Sequence, residues 1–134
     1  SSFIERGDWI VIVADRTPIG SSSTINISFL GKKAPFAAGP FILAHVLECP
    51  AWSMICTRET SPASRARYRV EFSKISEPRP VSRHERNAAI AEMAERWVKT
   101  LERALTASPL DWFNFFDFWH PAAPKAAIVH RKEH

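Results

Sequence analysis

Cysteine is scarce in these 134 residues, with only Cys49 and Cys56, and glycine is thin, with four. The two cysteines lie in apolar stretches without the paired spacing of a zinc site or a disulfide framework, so they are read as buried, reduced thiols. With so little glycine there is no Gly-rich phosphate loop, and no serine sits in a nucleophile-elbow pattern. No apolar run reaches the roughly eighteen residues of a membrane-crossing helix, and no signal-peptide pattern opens the sequence. Any membrane association is therefore expected to be peripheral. Acidic residues are outnumbered, 14 Asp and Glu against 18 Lys and Arg, for a formal charge of +4. That modest surplus suits acidic partners such as anionic lipid, but no nucleic-acid-binding motif accompanies it, and nucleic acid is not expected as a partner.

What remains is an ordinary globular composition, 46% hydrophobic and 24% charged, in a chain of single-domain length. The run "DWIVIVAD" (8–15) is apolar on both alternating faces and closed by an acid, which predicts a central strand over Trp9–Ala14. "RTPIGSSS" is a loop, and "TINISFLG" (24–31) alternates Ile25, Ile27 and Phe29 with polar residues, predicting a half-buried strand. Phe41, Ile42, His45, Val46 and Cys49 fall at helical spacing between Pro40 and Pro50, predicting a helix over 39–49. "AWSMICTRE" reads as a second buried strand. "ARYRVEFSKI" (66–75) alternates Tyr68, Val70 and Phe72 with charges, as an edge strand with one wet face does. After the linker "SEPRPVS", Ile90, Met93, Ala94, Trp97, Leu101, Ala104 and Leu105 mark a long helix over 84–106. The expected fold class is α/β, a mixed sheet with flanking helices across residues 1–120, followed by a loose basic tail, 121–134.

"SPLDWFNFFDFWH" (108–120) sets six rings beside Asp111, Asn114 and Asp117. Ser108 as cap and Pro109 at the first position predict a short helix, which would gather Trp112, Phe115, Phe116 and Trp119 on one face. That face either docks on the core or meets lipid, and composition does not choose between them. Asp15 and Arg16 stand where a strand opens into a loop, the usual place for functional groups in α/β sheets, although a strand-end charge pair has the same signature. His45 lies on the apolar side of its helix and reads as a core histidine. His84 reads as a surface residue, and the terminal pair His130 and His134 is a weak metal pattern.

The order of these elements carries a resemblance. "VADRTPIG", "ISFLGKKAPFAAGPFILAHVLECPAW", "YRVEF" and "PLDWFNFFDFW", spanning roughly residues 7–119, resemble the later half of the bacterial lipid A lauroyl/myristoyl acyltransferase family, within the lysophospholipid acyltransferase superfamily. The matching positions are Asp15, with Arg16 where the family has Gln, then Phe29, Gly31 and Ala34, then Gly39, Leu43 and Ala44, and finally Pro109, Trp112 and Trp119. The "DWFNFFDFW" form looks closest to a side branch of predicted acyltransferases, some resembling enzymes of aryl-polyene-type lipid synthesis, which implies an acceptor other than lipid A.

The resemblance implies an acyltransferase-type α/β fold. It also implies acyl transfer from an acyl carrier protein or coenzyme A thioester to a lipid or glycolipid acceptor, at the cytoplasmic face of the bacterial inner membrane, with no cofactor. Asp15 and Arg16 are the implied supporting residues, and Gly31, Gly39, Trp112, Asn114, Asp117 and Trp119 the implied substrate-binding ones. Two departures qualify it. The family's His-x4-Asp/Glu base motif is absent from the chain, and the Thr before the Gly is replaced by the neighbourhood of Pro35 and Phe36. The chain begins with Ser and reaches its first predicted strand almost at once, as a processed product or the later part of a longer protein would; with the base motif absent, the resemblance implies the later half of an acyltransferase, inactive alone. The alternative is a non-catalytic lipid-binding or protein-interaction domain. A first strand stripped of its neighbours would bare an edge, so self-association or domain exchange is expected.

Overall fold

The computed structural model describes residues 2–17, 23–59 and 67–120. A one-turn helix α1 (Ser2–Glu5) precedes the hairpin strands β1 (Thr24–Phe29) and β2 (Lys32–Ala37). Helix α2 (Gly39–Val46) follows, then strands β3 (Ala51–Glu59) and β4 (Arg67–Ser76), the long helix α3 (Arg86–Ala107) and a 3-10 turn at Pro109–Asp111. Helices and strands both occur, as an α/β reading requires. Among the described residues, however, the strands form two separate antiparallel pairs, β1–β2 and β3–β4, rather than one mixed sheet.

β1 buries Ile27 and Phe29 on alternate positions, the period a half-covered strand requires. Its register to β2 runs from Thr24 opposite Ala37 to Phe29 opposite Lys32, leaving a two-residue turn. Both turn residues have positive φ, Leu30 at 49° and Gly31 at 81°, as a type I′ turn demands. Leu30 adopts that conformation against its side-chain preference, and its N–H donates to Glu102 Oε1 of α3 at 2.7 Å, tying the turn to the long helix. β2 was not expected from the sequence, because Ala-Pro-Phe-Ala has little strand character. Pro35 is tolerated because a two-stranded sheet consists only of edges.

α3 presents Ile90, Met93, Ala94, Val98, Leu101 and Leu105 as one buried stripe at three- and four-residue spacing. The stripe packs with Phe29, Phe36, Phe41 and Ile75 into one core. α2 starts with Pro40 in its first turn and ends before Pro50, with Glu48 at φ 49° reversing the chain.

β3 is not covered on both faces, as its composition suggested. Ser53 is buried and Ile55 packs against the core, while Trp52, Met54 and Cys56 are exposed between them. Across the ladder Met54 opposes Phe72 and Cys56 opposes Val70. The alternation expected for β4 is therefore real, but its apolar face (Tyr68, Val70, Phe72) is wet. The thiols follow suit: both cysteines are free, Cys49 half-buried and Cys56 exposed rather than buried.

The largest departure is the run Trp9–Ala14. It forms no strand, and Trp9, Val11 and Val13 are each 74% exposed. Among the described residues none of its backbone groups has a hydrogen-bond partner. The composition is that of a covered strand, but none of the described elements pairs with it.

After α3 the chain makes only the 3-10 turn, and residues 112–119 are irregular rather than helical. Ser108 Oγ donates to Asp111 Oδ2 at 2.8 Å, and the backbone N–H of Arg58 donates to the same oxygen at 2.5 Å, fixing the turn to β3. These bonds hold the Asp111 carboxyl below the usual carboxylate range, the Arg58 N–H contributing most. The ring assignment changes with the geometry. Trp112, Phe118 and Trp119 pack on the core, whereas Phe115 and Phe116, expected to share one helical face with Trp112 and Trp119, are exposed, Phe115 at 91%. The expected basic tail, 121–134, and Pro18–Ser22 of the predicted loop lie outside the described residues.

Candidate functional site

An apolar cleft of about 680 Å³ opens between Trp9–Asp15, α2, α3 and the outward face of β3. Its lining includes Ile10 and Ile12, Phe41, Leu43 and Leu47 of α2, Trp52, Met54 and Phe72 of the second hairpin, and Trp97, Leu101 and Leu105 of α3. That volume lies within the roughly 300–1,000 Å³ of small-molecule sites, and the lining has the apolar majority with few polar groups that such sites show.

The few charged groups at the lining include Asp15, whose partner is the next residue. Arg16 grips its carboxylate with two bonds, Nη2 to Oδ2 at 2.6 Å and Nε to Oδ1 at 3.1 Å. The loop beyond is anchored by Thr17, whose Oγ1 donates to the Pro35 carbonyl at 2.8 Å. Partial burial pushes the Asp15 pKa up, but the Arg16 hydrogen bonds and charge, with a smaller contribution from the Trp112 indole, hold it below the usual carboxylate range. The indole points its N–H toward the carboxylate without reaching hydrogen-bond geometry, since Trp112 Nε1 is buried and unpartnered. We therefore treat the Trp112 contribution as a dipole near the charge rather than a formed bond.

Asp15 and Trp112, both singled out in the sequence, thus lie in the cleft lining, and Arg16 is held beside them by its bonds to Asp15. Gly31 sits in the β1–β2 turn and Gly39 begins α2. Neither is in the cleft lining, although Pro40 beside Gly39 is. Trp119 stacks on Phe29, ring centroids 6.1 Å apart, and its Nε1 is buried without a partner, as is Asn114 Oδ1. Asp117 accepts from the His120 backbone N–H at 3.0 Å and faces the same residue's imidazole at 3.2 Å. Asn114, Asp117 and Trp119 form the inner end of the aromatic segment, away from the cleft lining.

Sequence reasoning missed the hairpin wall. Trp52, Met54 and Phe72 were read as parts of strands, and the signal that could have found them was alternation: each is on the face opposite Ser53 and Ile55. A second groove, about 860 Å³, runs between β3, β4 and the end of α3 and is lined by Arg58, Arg67, Arg69, Arg103, Glu59 and Glu71 among others. Arg69 pairs with Glu59 and Arg103 with Glu71, each at 2.6 Å, so much of its charge is internally neutralised. His45 is half-buried and His84 exposed. Among the described residues no three His, Cys, Asp or Glu side chains converge on a possible metal position, and no helix is long and apolar enough to cross a membrane.

Comparison with known proteins adds no relative: no family model, no curated protein and no solved structure matches this chain.

Proposed function

We propose that this chain supplies the acyl-binding walls and the supporting electrostatics of an acyltransferase of the lipid A type, within the acyltransferase-type α/β fold its sequence resembles. The observation that carries the reading is the apolar cleft whose lining includes Asp15, paired with Arg16, and Trp112. A fatty acyl chain needs a dry wall and polar groups where the thioester carbonyl and the acceptor hydroxyl meet, and the cleft offers an apolar lining with few charged groups, Asp15 among them.

Acyl transfer requires a base for the acceptor hydroxyl and stabilisation of the oxyanion formed at the carbonyl. Asp15 is a poor base, because Arg16 keeps it ionised and lowers its affinity for a proton. Its role in this reading is to orient the Arg16 guanidinium, whose remaining N–H donors suit a phosphate of the donor or acceptor, or the oxyanion itself. Among the described residues no histidine lines the cleft. The base is therefore assigned to residues outside this chain, on a preceding segment or a partner, with an acyl carrier protein or coenzyme A thioester as donor, a lipid acceptor and the cytoplasmic membrane face as its setting. The lack of a histidine at the cleft also favours a second reading, a domain that binds acyl chains without turning them over.

Two measurements separate these readings. Quenching of the cleft tryptophans by a brominated fatty acid should saturate, and Met54→Asp should weaken it by about tenfold or more, since a charge in an apolar wall costs upwards of about 1.4 kcal/mol. Met54 is exposed, so the substitution should leave the fold intact. Transfer from a carrier-protein thioester is then assayed with this chain and with one extended upstream. Turnover by the longer chain alone supports the acyltransferase. Binding without turnover by either supports the binding domain, and no saturable quenching removes both.

A further inference from the structure

Exposure along Trp9, Ile10, Val11, Ile12 and Val13 runs 74, 49, 74, 45 and 74%, the period of two that belongs to an extended strand. An apolar strand with bare backbone groups on both edges is a template for pairing with another chain.

The run is also complementary to itself. We infer that two copies of this chain associate through Trp9–Val13, paired as antiparallel strands about a twofold axis at Val11. In that register Trp9 faces the partner's Val13, Ile10 faces the partner's Ile12 and Val11 faces the partner's Val11, so both faces of the new ribbon join apolar side chains. A twofold axis makes the contact isologous, the same surface meeting itself in both copies. The flanking acids fix the register. Sliding the strands by two residues sets Asp8 against the partner's Ile12, or Trp9 against the partner's Asp15, and places a carboxylate among apolar side chains. Gly7, at φ 81°, ends the extended run on one side, and the Asp15–Arg16 pair ends it on the other. The inference rests on the bare backbone and not on the acyltransferase reading, so transfer assays test that reading and hydrodynamic mass tests this one.

Sedimentation equilibrium of the 134-residue chain from sub-micromolar to several hundred micromolar should show a mass rising from 15.2 kDa to twice that value. Val11→Pro should remain monomeric over the same range with an unchanged far-ultraviolet spectrum, because the Val11 N–H it removes has no partner among the described residues. In a Cys49→Ser, Cys56→Ser background, Val11→Cys should form a symmetric disulfide under mild oxidation. Antiparallel neighbours stand about 4.5–5.5 Å apart at Cα, within disulfide reach. Phe115→Ser, in the other exposed apolar region, should leave the dimer intact. A constant monomeric mass overturns the inference. So does a dimer that survives Val11→Pro or fails to cross-link through Val11→Cys.

Discussion

Asp15 is the residue where opposing forces are most evenly set. Burial, the largest single influence, favours its protonated form, and Arg16, with smaller help from Trp112 and the backbone of Asp15 itself, turns the balance toward the anion. Removing the guanidinium should reverse the direction of the shift: in Arg16→Ala, the Asp15 pKa is expected above the ordinary value of about 3.9 rather than below it. The stability consequence changes sign as well. In the native chain the folded pKa is depressed, so Asp15 contributes stability that is present above the unfolded pKa and is lost as pH falls through the folded one. In the variant the raised folded pKa makes the contribution present below the unfolded value and lost as pH rises through the folded value. A carbon-detected titration of the Asp15 carboxyl in both proteins checks this. An Asp15 that still titrates below the ordinary value in Arg16→Ala would show that Trp112 or solvent, not Arg16, holds the charge. Either way the result bears on the site, because a carboxylate held ionised can orient a cation but makes a weak proton acceptor.

Among the elements, the segment after α3 separates what local sequence encodes from what it does not. A helix there would have turned Phe115 inward, but Ser108-Pro109 yields only a single 3-10 turn. Phe29 then gathers Trp112, Phe118 and Trp119 within about 6 Å of its ring centre. Phe118→Ala should therefore cost about 3–5 kcal/mol and open residues 112–120 to protease, while Phe115→Ala should change stability by less than about 0.5 kcal/mol. Equal effects in denaturant melts would restore the helical arrangement. The same contrast explains which elements were legible. α3 and β1 each bury one face against a single core, so their period is written in their own residues. β2 could not be read, because Pro35 and two alanines carry no strand signal and its pairing is set by the Leu30–Gly31 turn and by Phe36 reaching the core. Trp9–Ala14 was read as a central strand and forms none, because pairing and burial depend on what lies alongside, which no local pattern states. Of the site, Asp15, Arg16 and Trp112 were visible through strand-end position and resemblance. The Trp52–Met54–Phe72 wall was not, because alternation assigns two faces to a hairpin without saying which one is wet.

At the scale of the molecule, the open faces should be measurable without knowing any ligand. The denaturant slope m follows the surface newly exposed on unfolding, so urea unfolding at a concentration too low for dimer should give an m below that normal for the length. The heat-capacity change should be depressed further, because the surface already wet in the folded chain is largely apolar: Trp9 to Val13, Met54, Val70 and Phe72. Raising the protein concentration into the dimer range should return both quantities toward ordinary values, as each copy covers part of the other. An acyl ligand should do the same at low concentration by filling the cleft. An ordinary m in dilute, ligand-free solution would instead mean that the chain closes its own open faces, and both the cleft and the strand edge would then lose their claim to a partner.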